Sequence, residues 1–267
     1  MKDFEFKKKY GQNFITDKNL IEKIVSYGNI TKNDLVIEVG PGAGALTTHL
    51  VELAKNVLIY EIDKCLEDIL NDKLKDYDNY ELIINDFLNV DIEKDIKKYN
   101  YDKLIFISNL PYYITTPIIK KFIDSGIIPD KMVVMVQEEV ADRFCADVKT
   151  RDYGSLTVYL NAYYDVKKTM KVSRKLYNPI PNVDSAIAVM NKKKDININN
   201  SELFNQLVKD SFQFKRKNLK NNLKNYNLNL IFEILSKYNL SLASRAEEVS
   251  VDIFIEVANA IENTNQS

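Results

Sequence analysis

Histidine and cysteine are scarce in this chain of 267 residues, which limits the chemistry that its side chains can support. The only histidine is His49, and the two cysteines, Cys65 and Cys145, lie far apart in the sequence. Because no His or Cys cluster has the spacing of metal ligands, no metal site is expected. A histidine-dependent nucleophile is excluded in the same way.

Long apolar runs are also missing. Hydrophobic residues make up 45% of the chain, but no stretch approaches the roughly 20 residues that a membrane-spanning helix needs. The first six residues lack the apolar core of a signal peptide. We therefore expect a cytoplasmic protein with no membrane partner, long enough for one large domain and a smaller one.

Positive charge is concentrated in one part of the chain. The net charge is −1, yet residues 166–225 contain 14 Lys or Arg against 4 Asp or Glu, a local charge of +10. Such a region can bind a polyanion such as RNA through counterion release. A solvated, lysine-rich surface without a partner is the alternative interpretation.

Short apolar runs alternate with helical patterns through the first half of the chain, which predicts a parallel sheet covered by helices on both faces. The predicted strands are residues 35–39, 57–60, 82–84, 104–107 and 132–136. Residues 156–163 and 185–190 are predicted as late strands that pair at an edge. Because the polar segment 191–197 precedes helical patterns, we expect an α/β domain over 1–190 and a small helical domain over 191–267.

A glycine-rich segment, residues 40–44 and hereafter the glycine turn, joins the first predicted strand to its helix. Glycines allow close approach of the backbone to a ligand, and helix N-termini present N–H groups. Glu61 follows the second strand and suits ribose hydroxyls, while Asp86 follows the third and suits an adenine amine. Each acid alone is also a common cap or turn residue, but together they predict a nucleotide-like cofactor.

Two cofactors fit these features, a nicotinamide dinucleotide and S-adenosylmethionine. The dinucleotide fingerprint has a third glycine, where this chain has Ala45 or Leu46. S-adenosylmethionine needs an adenine pocket, which Asp86 provides, and a methyl acceptor near the fourth strand.

The four residues after the fourth predicted strand, Asn109-Leu110-Pro111-Tyr112, supply such an acceptor site. This segment, hereafter the Asn-Leu-Pro-Tyr turn, brings an amide, two carbonyls and an aromatic ring to a strand end. The grouping suits the exocyclic amine of a flat nitrogen base. An ordinary strand-ending turn is the alternative interpretation of Asn and Pro here.

The chain resembles the bacterial small-subunit ribosomal RNA adenine dimethyltransferases, relatives of the erythromycin-resistance methyltransferases, from about residue 7 to residue 260. Beside the glycine and Asn-Leu-Pro-Tyr turns, the motifs that carry the resemblance are residues 10–14, 61–63, 153–156, 179–186 and 245–248. Residues 116–117, 183–186 and 214–219 favour the small-subunit enzymes over the resistance enzymes. Tyr177 departs from the family, which usually has Phe there.

This resemblance implies a Rossmann-like, S-adenosylmethionine-dependent methyltransferase that dimethylates the N6 amine of two adjacent adenosines. The target is the 3′-terminal hairpin of small-subunit (16S) ribosomal RNA. The implied catalytic residues are Asn109, Leu110, Pro111, Tyr112 and Tyr177. The Asn109 side-chain oxygen and the Leu110 carbonyl would accept the amine hydrogens, and Tyr112 and Tyr177 would stack on the two faces of the adenine.

The resemblance also implies the cofactor site and the partner, which is the immature small ribosomal subunit, bound by a monomer. The implied cofactor-binding residues are Asn13, Ile15, Gly40, Gly42, Glu61, Asp86 and Asn109. The cations expected at RNA phosphates are Lys7, Lys8, Lys9, Lys215, Arg216 and Lys217. Three alternatives stay open: a resistance-type enzyme acting on large-subunit RNA, a DNA adenine methyltransferase, and a non-catalytic RNA-binding assembly factor.

Overall fold

A computed structural model describes residues 14–15 and 17–265. Their contacts divide them into two compact units, the first formed by residues up to Ala141 with Lys167–Lys192 and the second by Asp142–Val166 with the residues from Lys193 onward. The division into domains at residue 190 stays a prediction. The contacts add one difference, because residues 142–166, expected in the first domain, pack with the C-terminal helices.

The first unit contains two sheets. Its strands are β1 (Phe14–Ile15), β2 (Leu35–Val39), β3 (Asn56–Glu61), β4 (Tyr80–Ile84), β5 (Leu104–Asn109), β6 (Lys131–Gln137), β7 (Tyr164–Val172), β8 (Tyr177–Asn178) and β9 (Ser185–Lys192). The larger sheet has the order β4-β3-β2-β5-β6-β9-β7, and β1 pairs with β8 in a small antiparallel ribbon. Strands β2 to β6 are parallel, as the alternating pattern predicts, while β9 is antiparallel to β6.

Helices follow most of these strands. They are α1 (Lys18–Gly28), α2 (Thr47–Leu53), α3 (Glu67–Leu74), α4 (Ile92–Ile96), α5 (Thr115–Asp124) and α6 (Glu138–Phe144). Helix α1 begins where Asp17 Oδ1 accepts the Leu20 N–H at 2.8 Å, an N-cap that the sequence predicts. Its apolar face, with Leu20 and Ile24, is buried against β5 and β6. Each such buried side chain contributes about 1.5–3 kcal/mol relative to exposure.

The second unit is built from helices. They are α7 (Ser155–Tyr163), α8 (Ser201–Ser211), α9 (Leu219–Asn222), α10 (Leu228–Lys237) and α11 (Val251–Asn265). Phe204 of α8 is fully buried, and its ring meets those of Tyr159 and Tyr163 edge-on at 6.5 and 6.3 Å between centroids. The predicted strand at residues 156–163 is therefore wrong, because that segment is the buried helix α7. The partners of β9 are β6 and β7 instead.

Strand order in the large sheet reverses between β2 and β5. From β2 the chain adds β3 and β4 on one side, and then β5 and β6 on the other. The backbone register of β2 with β5 ends at Ile37 and Phe106, and beyond it the Ser108 hydroxyl donates to the Val39 carbonyl at 2.5 Å. Open parallel sheets bind ligands outside the carboxyl ends of their strands at such a reversal.

Within the described residues, no helix is both long and apolar enough to cross a membrane.

Candidate active site

A cleft with about 930 Å³ of open space lies at the carboxyl ends of β2, β3, β4 and β5. It lies at the position where the strand reversal predicts a ligand site. The predicted site residues that line it are Ile15, Gly40, Gly42, Glu61, Asp86, Asn109, Leu110, Pro111 and Tyr112. Asn13, Lys7, Lys8 and Lys9 lie outside the described residues.

The glycine turn packs directly on the Asn-Leu-Pro-Tyr turn. Gly40 has φ +71° and donates its N–H to the Tyr60 carbonyl at 2.8 Å, and Gly42 has φ +59°. A Cβ atom added to Gly40 would lie 3.3 Å from Pro111 Cγ. Both the left-handed backbone and this close approach favour glycine. The two motifs, separate in sequence, therefore form one wall of the cleft.

Glu61 ends β3 with its side chain only 4% exposed. Its Oε1 accepts the Asp63 N–H at 2.8 Å. Burial raises the pKa of Glu61, while the backbone N–H groups of Asp63, Gly42 and Ile62 act in the opposite direction. Hydrogen bonds from the glycine turn and from its own strand end thus hold this carboxyl at the cleft.

The sequence position of Asp86 allows two roles, a cap residue and a contact to the cofactor, and the structure is compatible with both. Its Oδ1 accepts the Leu88 N–H at 2.9 Å and so caps a short turn, while Asn89 Nδ2 lies 3.4 Å from Oδ2. The residue also lines the cleft and is partly exposed. Phe87 beside it is buried, edge-on to Tyr60 at 5.1 Å between ring centroids. The cap fixes the carboxyl in place, and its partial exposure leaves it accessible from the cleft.

Local hydrogen bonds hold the Asn-Leu-Pro-Tyr turn in shape. Leu110 donates its N–H to the Met135 carbonyl of β6 at 3.1 Å, and the Pro111 carbonyl accepts the Ile114 N–H at 3.1 Å. The Leu110 side chain is buried, which anchors the turn in the core. Its carbonyl accepts no hydrogen bond from the residues that the structure describes. That oxygen therefore keeps unused capacity to accept a hydrogen bond.

Tyr177 does not line the cleft. Its side chain is 3% exposed, and its Oη donates to Ser185 Oγ at 2.8 Å. Tyr112 Oη lies 2.6 Å from the same Ser185 oxygen. Burial raises the pKa of Tyr177 above its ordinary value, so the hydroxyl keeps its proton. Stacking of Tyr177 on a bound base stays a prediction, since the ring is covered here.

Glu38 is a site residue to which the sequence assigned no role. It is 1% exposed, lines the cleft beneath the glycine turn, and its Oε2 has no hydrogen-bond partner among the described residues. Burial raises the pKa of Glu38 to about 8. The sequence signal that could have identified Glu38 is an acidic residue in the otherwise apolar strand β2, shortly before the glycine turn.

The cations of the basic segment 166–225 differ in whether they form ion pairs with carboxylates. Lys215, Arg216 and Lys217 are exposed in the turn after α8, and no ion pair joins them to a carboxylate of the described chain. Lys171, by contrast, contacts Glu138 at 2.8 Å and Asp184 at 3.2 Å. An assignment of the first three to RNA phosphates stays a prediction. Among residues 14–15 and 17–265, no group of three or more His, Cys, Asp or Glu side chains is arranged to hold a metal ion.

Comparison with known proteins identifies the family. The profile of the family described as "Ribosomal RNA adenine dimethylase" matches residues 3–263. The chain belongs to the ribosomal RNA adenine dimethylase family. Ribosomal RNA small subunit methyltransferase A of Clostridioides difficile (strain 630) is 42% identical over 271 residues, covering 99% of this chain and 93% of the relative. The protein of that name from Fusobacterium nucleatum is 41% identical, covering 97% of this chain and 99% of the relative.

Solved structures agree with this assignment. A dimethyladenosine transferase from Plasmodium falciparum superposes with a TM-score of 0.76 at 24% identity over 94% of this chain and 98% of that one, which supports the fold. The 23S rRNA methyltransferase ErmE gives a TM-score of 0.70 at 25% identity, covering 94% and 100% of the two chains. The predicted family, fold class and enzyme class are confirmed, and S-adenosylmethionine is the methyl donor.

The cleft fits this cofactor chemically. Glu61 is a buried carboxylate at a strand end, suited to ribose hydroxyls, and Asp86 is open to an adenine amine. Glu38 Oε2, which has no hydrogen-bond partner among the described residues, is suited to a cationic group such as the amino-acid ammonium. Gly40 and Gly42, both with positive φ, bring the backbone of the glycine turn to the wall of the cleft.

Proposed function

We propose that this dimethylase transfers two methyl groups to the N6 amine of each of two adjacent adenosines in the 3′-terminal hairpin of small-subunit ribosomal RNA. The observation that carries the chemistry is the close approach of the glycine turn to the Asn-Leu-Pro-Tyr turn, where a Cβ added to Gly40 would lie 3.3 Å from Pro111 Cγ. A cofactor site and an amine site thereby share one wall. The choice of RNA is supported by full-length relatives named for the small subunit.

The cofactor-binding residues of the proposal are Asn13, Ile15, Gly40, Gly42, Glu61, Asp86 and Asn109, together with Glu38. Bound S-adenosylmethionine supplies an electrophilic methyl group on a sulfonium. Glu61 holds the ribose hydroxyls, and Asp86 holds the adenine of the cofactor. Glu61 and Asp86 would thereby hold the methyl donor in the cleft that Asn109, at the carboxyl end of β5, also lines.

The chain holds the acceptor amine by its hydrogens. An adenine amine is a weak nucleophile because its lone pair is delocalised into the ring. If the Asn109 side-chain oxygen and the Leu110 carbonyl accept its two hydrogens, the nitrogen is biased toward tetrahedral geometry and its lone pair is directed at the donor. Both oxygens then stabilise the positive charge that develops on nitrogen, and the proton leaves to water without a strong base.

The target base must be unpaired or flipped out of the RNA to reach this turn, which costs a few kcal/mol. Tyr112 lines the cleft, and stacking of its ring on the base contributes about 1–3 kcal/mol. The base-holding residues of the proposal are therefore the whole Asn-Leu-Pro-Tyr turn, with Tyr112 as its aromatic face.

The substrate is the immature small ribosomal subunit, bound in the cytoplasm by a monomer during subunit biogenesis. Folded RNA is recognised largely through its backbone and shape. Lys215, Arg216 and Lys217 of the second unit, and Lys7 to Lys9 near the N-terminus, are the proposed phosphate contacts. The first three are exposed and without a carboxylate partner in the described chain, so they are available for this role.

The decisive experiment offers S-adenosylmethionine with a labelled methyl group to small and large subunits purified from a strain that lacks the modification. We expect label only in the small subunit, on two adjacent adenines that mapping locates near the 3′ end. Label in the large subunit would instead indicate a resistance-type enzyme. No label, with cofactor binding intact by calorimetry, would indicate a binding factor without catalysis.

A further inference from the structure

Three hydroxyl groups form a buried cluster behind the cleft. Ser185 begins β9, where its backbone pairs with Gln137 of β6, and its side chain is fully buried. Tyr177 Oη reaches Ser185 Oγ at 2.8 Å from one side, and Tyr112 Oη reaches it at 2.6 Å from the other. Only Tyr112 extends from this cluster to the cleft. Sequence reasoning treated the two tyrosines as independent stacking residues and gave Ser185 no role.

Each hydroxyl of the cluster has one hydrogen to donate. Tyr177 has a single hydrogen, which it donates to Ser185 Oγ. Ser185 also has one hydrogen, and as a buried group it needs an acceptor. The acceptor at hydrogen-bond distance whose own hydrogen is not already directed at Ser185 is Tyr112 Oη. Donation therefore passes from Tyr177 to Ser185 to Tyr112, which ties the Tyr112 hydroxyl to the other two.

Two of the three hydroxyl-bearing residues, Tyr177 and Ser185, are fixed by backbone pairing. Tyr177 lies in β8 opposite Ile15 of β1, and Ile15 itself lines the cleft. Ser185 is held by the β6–β9 ladder. Tyr112, in contrast, lies in a turn and is partly exposed. The two pre-positioned hydroxyls can thus restrict the Tyr112 ring, which would otherwise be free to rotate about its side-chain bonds.

We propose that Tyr177 and Ser185 are positioning residues, whose hydroxyls orient the Tyr112 ring against the target base. This inference rests on the proposed function, because it concerns the ring that holds the base. It also explains the hydroxyl of Tyr177, which a Phe at that position would lack. In this role the Tyr177 hydroxyl acts on Tyr112 through Ser185.

The experiment is a set of double-mutant cycles with Y177F, S185A and Y112F. In methyl transfer to the small subunit, Y177F should lower kcat about two- to tenfold, the effect of one neutral hydrogen bond, with cofactor affinity unchanged. In the Y112F background the same substitution should have no further effect, since there is no hydroxyl left to orient. S185T, which retains a hydroxyl, should recover most of the activity that S185A loses.

A second measurement needs neither cofactor nor RNA. In thermal unfolding of the cofactor-free protein, the shifts in Tm caused by Y177F and S185A should be non-additive, because the two groups are in contact. Additive shifts would overturn the hydroxyl chain itself. An equal loss of kcat from Y177F with and without the Tyr112 hydroxyl would overturn the positioning role, because the Tyr177 hydroxyl would then act independently of Tyr112. Failure of the unsubstituted protein to methylate any subunit would overturn the proposed function, while the unfolding data would still test the cluster.

Discussion

At the scale of single residues, the amine site depends on one amide. Asn109 ends β5 and lines the cleft beside the free Leu110 carbonyl. We expect Asn109→Ala to lower kcat at least a hundredfold, on the order of the effect seen when one charge-stabilising group is removed from a reacting centre. Cofactor affinity should change much less, since Glu61 and Asp86 remain. Methyl transfer and calorimetry on the same preparation check this, and near-normal turnover would refute the proposed mechanism.

Glu38 should make stability depend on pH in an unusual direction. Its pKa is raised from 4.5 to about 8 by burial, so between these values the folded state holds a proton that the unfolded state has lost. The free energy of unfolding therefore falls as pH rises through this window. Glu38→Gln removes this titration. The free energy of unfolding of the variant, relative to that of the unsubstituted protein, should therefore rise by on the order of 3 kcal/mol from about pH 5 to above pH 8. Urea unfolding at the two pH values measures this. If the difference in free energy of unfolding between the two proteins does not change with pH, Glu38 has an ordinary pKa in the folded state.

Site residues were predictable where several motifs agreed at strand ends. The glycine turn, Glu61, Asp86 and the Asn-Leu-Pro-Tyr turn all line one cleft, as their positions after successive strands suggested. The sequence could not reveal that Tyr177 is covered, because its burial depends on Ser185 and on pairing of β8 with β1. Such contacts between segments distant in sequence leave no local pattern.

At the scale of elements, the parallel strands, β9 and the C-terminal helices were predictable, whereas α7 and β7 were not. Helix α7 has Val, Thr and Tyr in its sequence and is buried on almost every side, so it lacks the polar face that reveals a helical period. Strand β7 was missed for the opposite reason. It is the exposed edge of the sheet and carries three lysines, which protect an edge but hide the strand pattern.

The glycine turn allows a prediction with a matched control. Gly40 and Gly126 have nearly equal φ angles, +71° and +70°, but a Cβ at Gly40 would press on Pro111, whereas one at Gly126 meets nothing within 4 Å. Both Gly→Ala substitutions should cost about 1–2 kcal/mol of stability from backbone strain. Only Gly40→Ala should weaken cofactor binding and methyl transfer, by about tenfold or more. Equal activity of the two variants, compared below their unfolding temperatures, would argue against a shared wall of cofactor and amine sites.

At the scale of the whole molecule, charge is distributed unevenly although the net charge is −1. Several cations of residues 166–225 are already engaged, such as Lys171 with Glu138 and Lys192 with Asp130 at 3.9 Å. The sequence alone could not separate engaged cations from free ones, because their partners come from other segments. The structure leaves Lys215, Arg216 and Lys217 as an exposed group with no carboxylate partner in the described residues.

Replacing these three cations with Gln should weaken RNA binding and flatten its salt dependence. Removing one cation from an RNA phosphate reduces the slope of log affinity against log salt by about 0.7–0.9, so the triple variant should show a reduction of roughly 2. The matched control removes the same charge at Lys97, Lys120 and Lys237, which pair with Glu93, Asp124 and Glu256. Titrations of a small-subunit RNA at several salt concentrations measure both slopes. If the two triple variants show equally reduced slopes, net charge explains the binding; if only the first does, the turn after α8 contacts the RNA backbone.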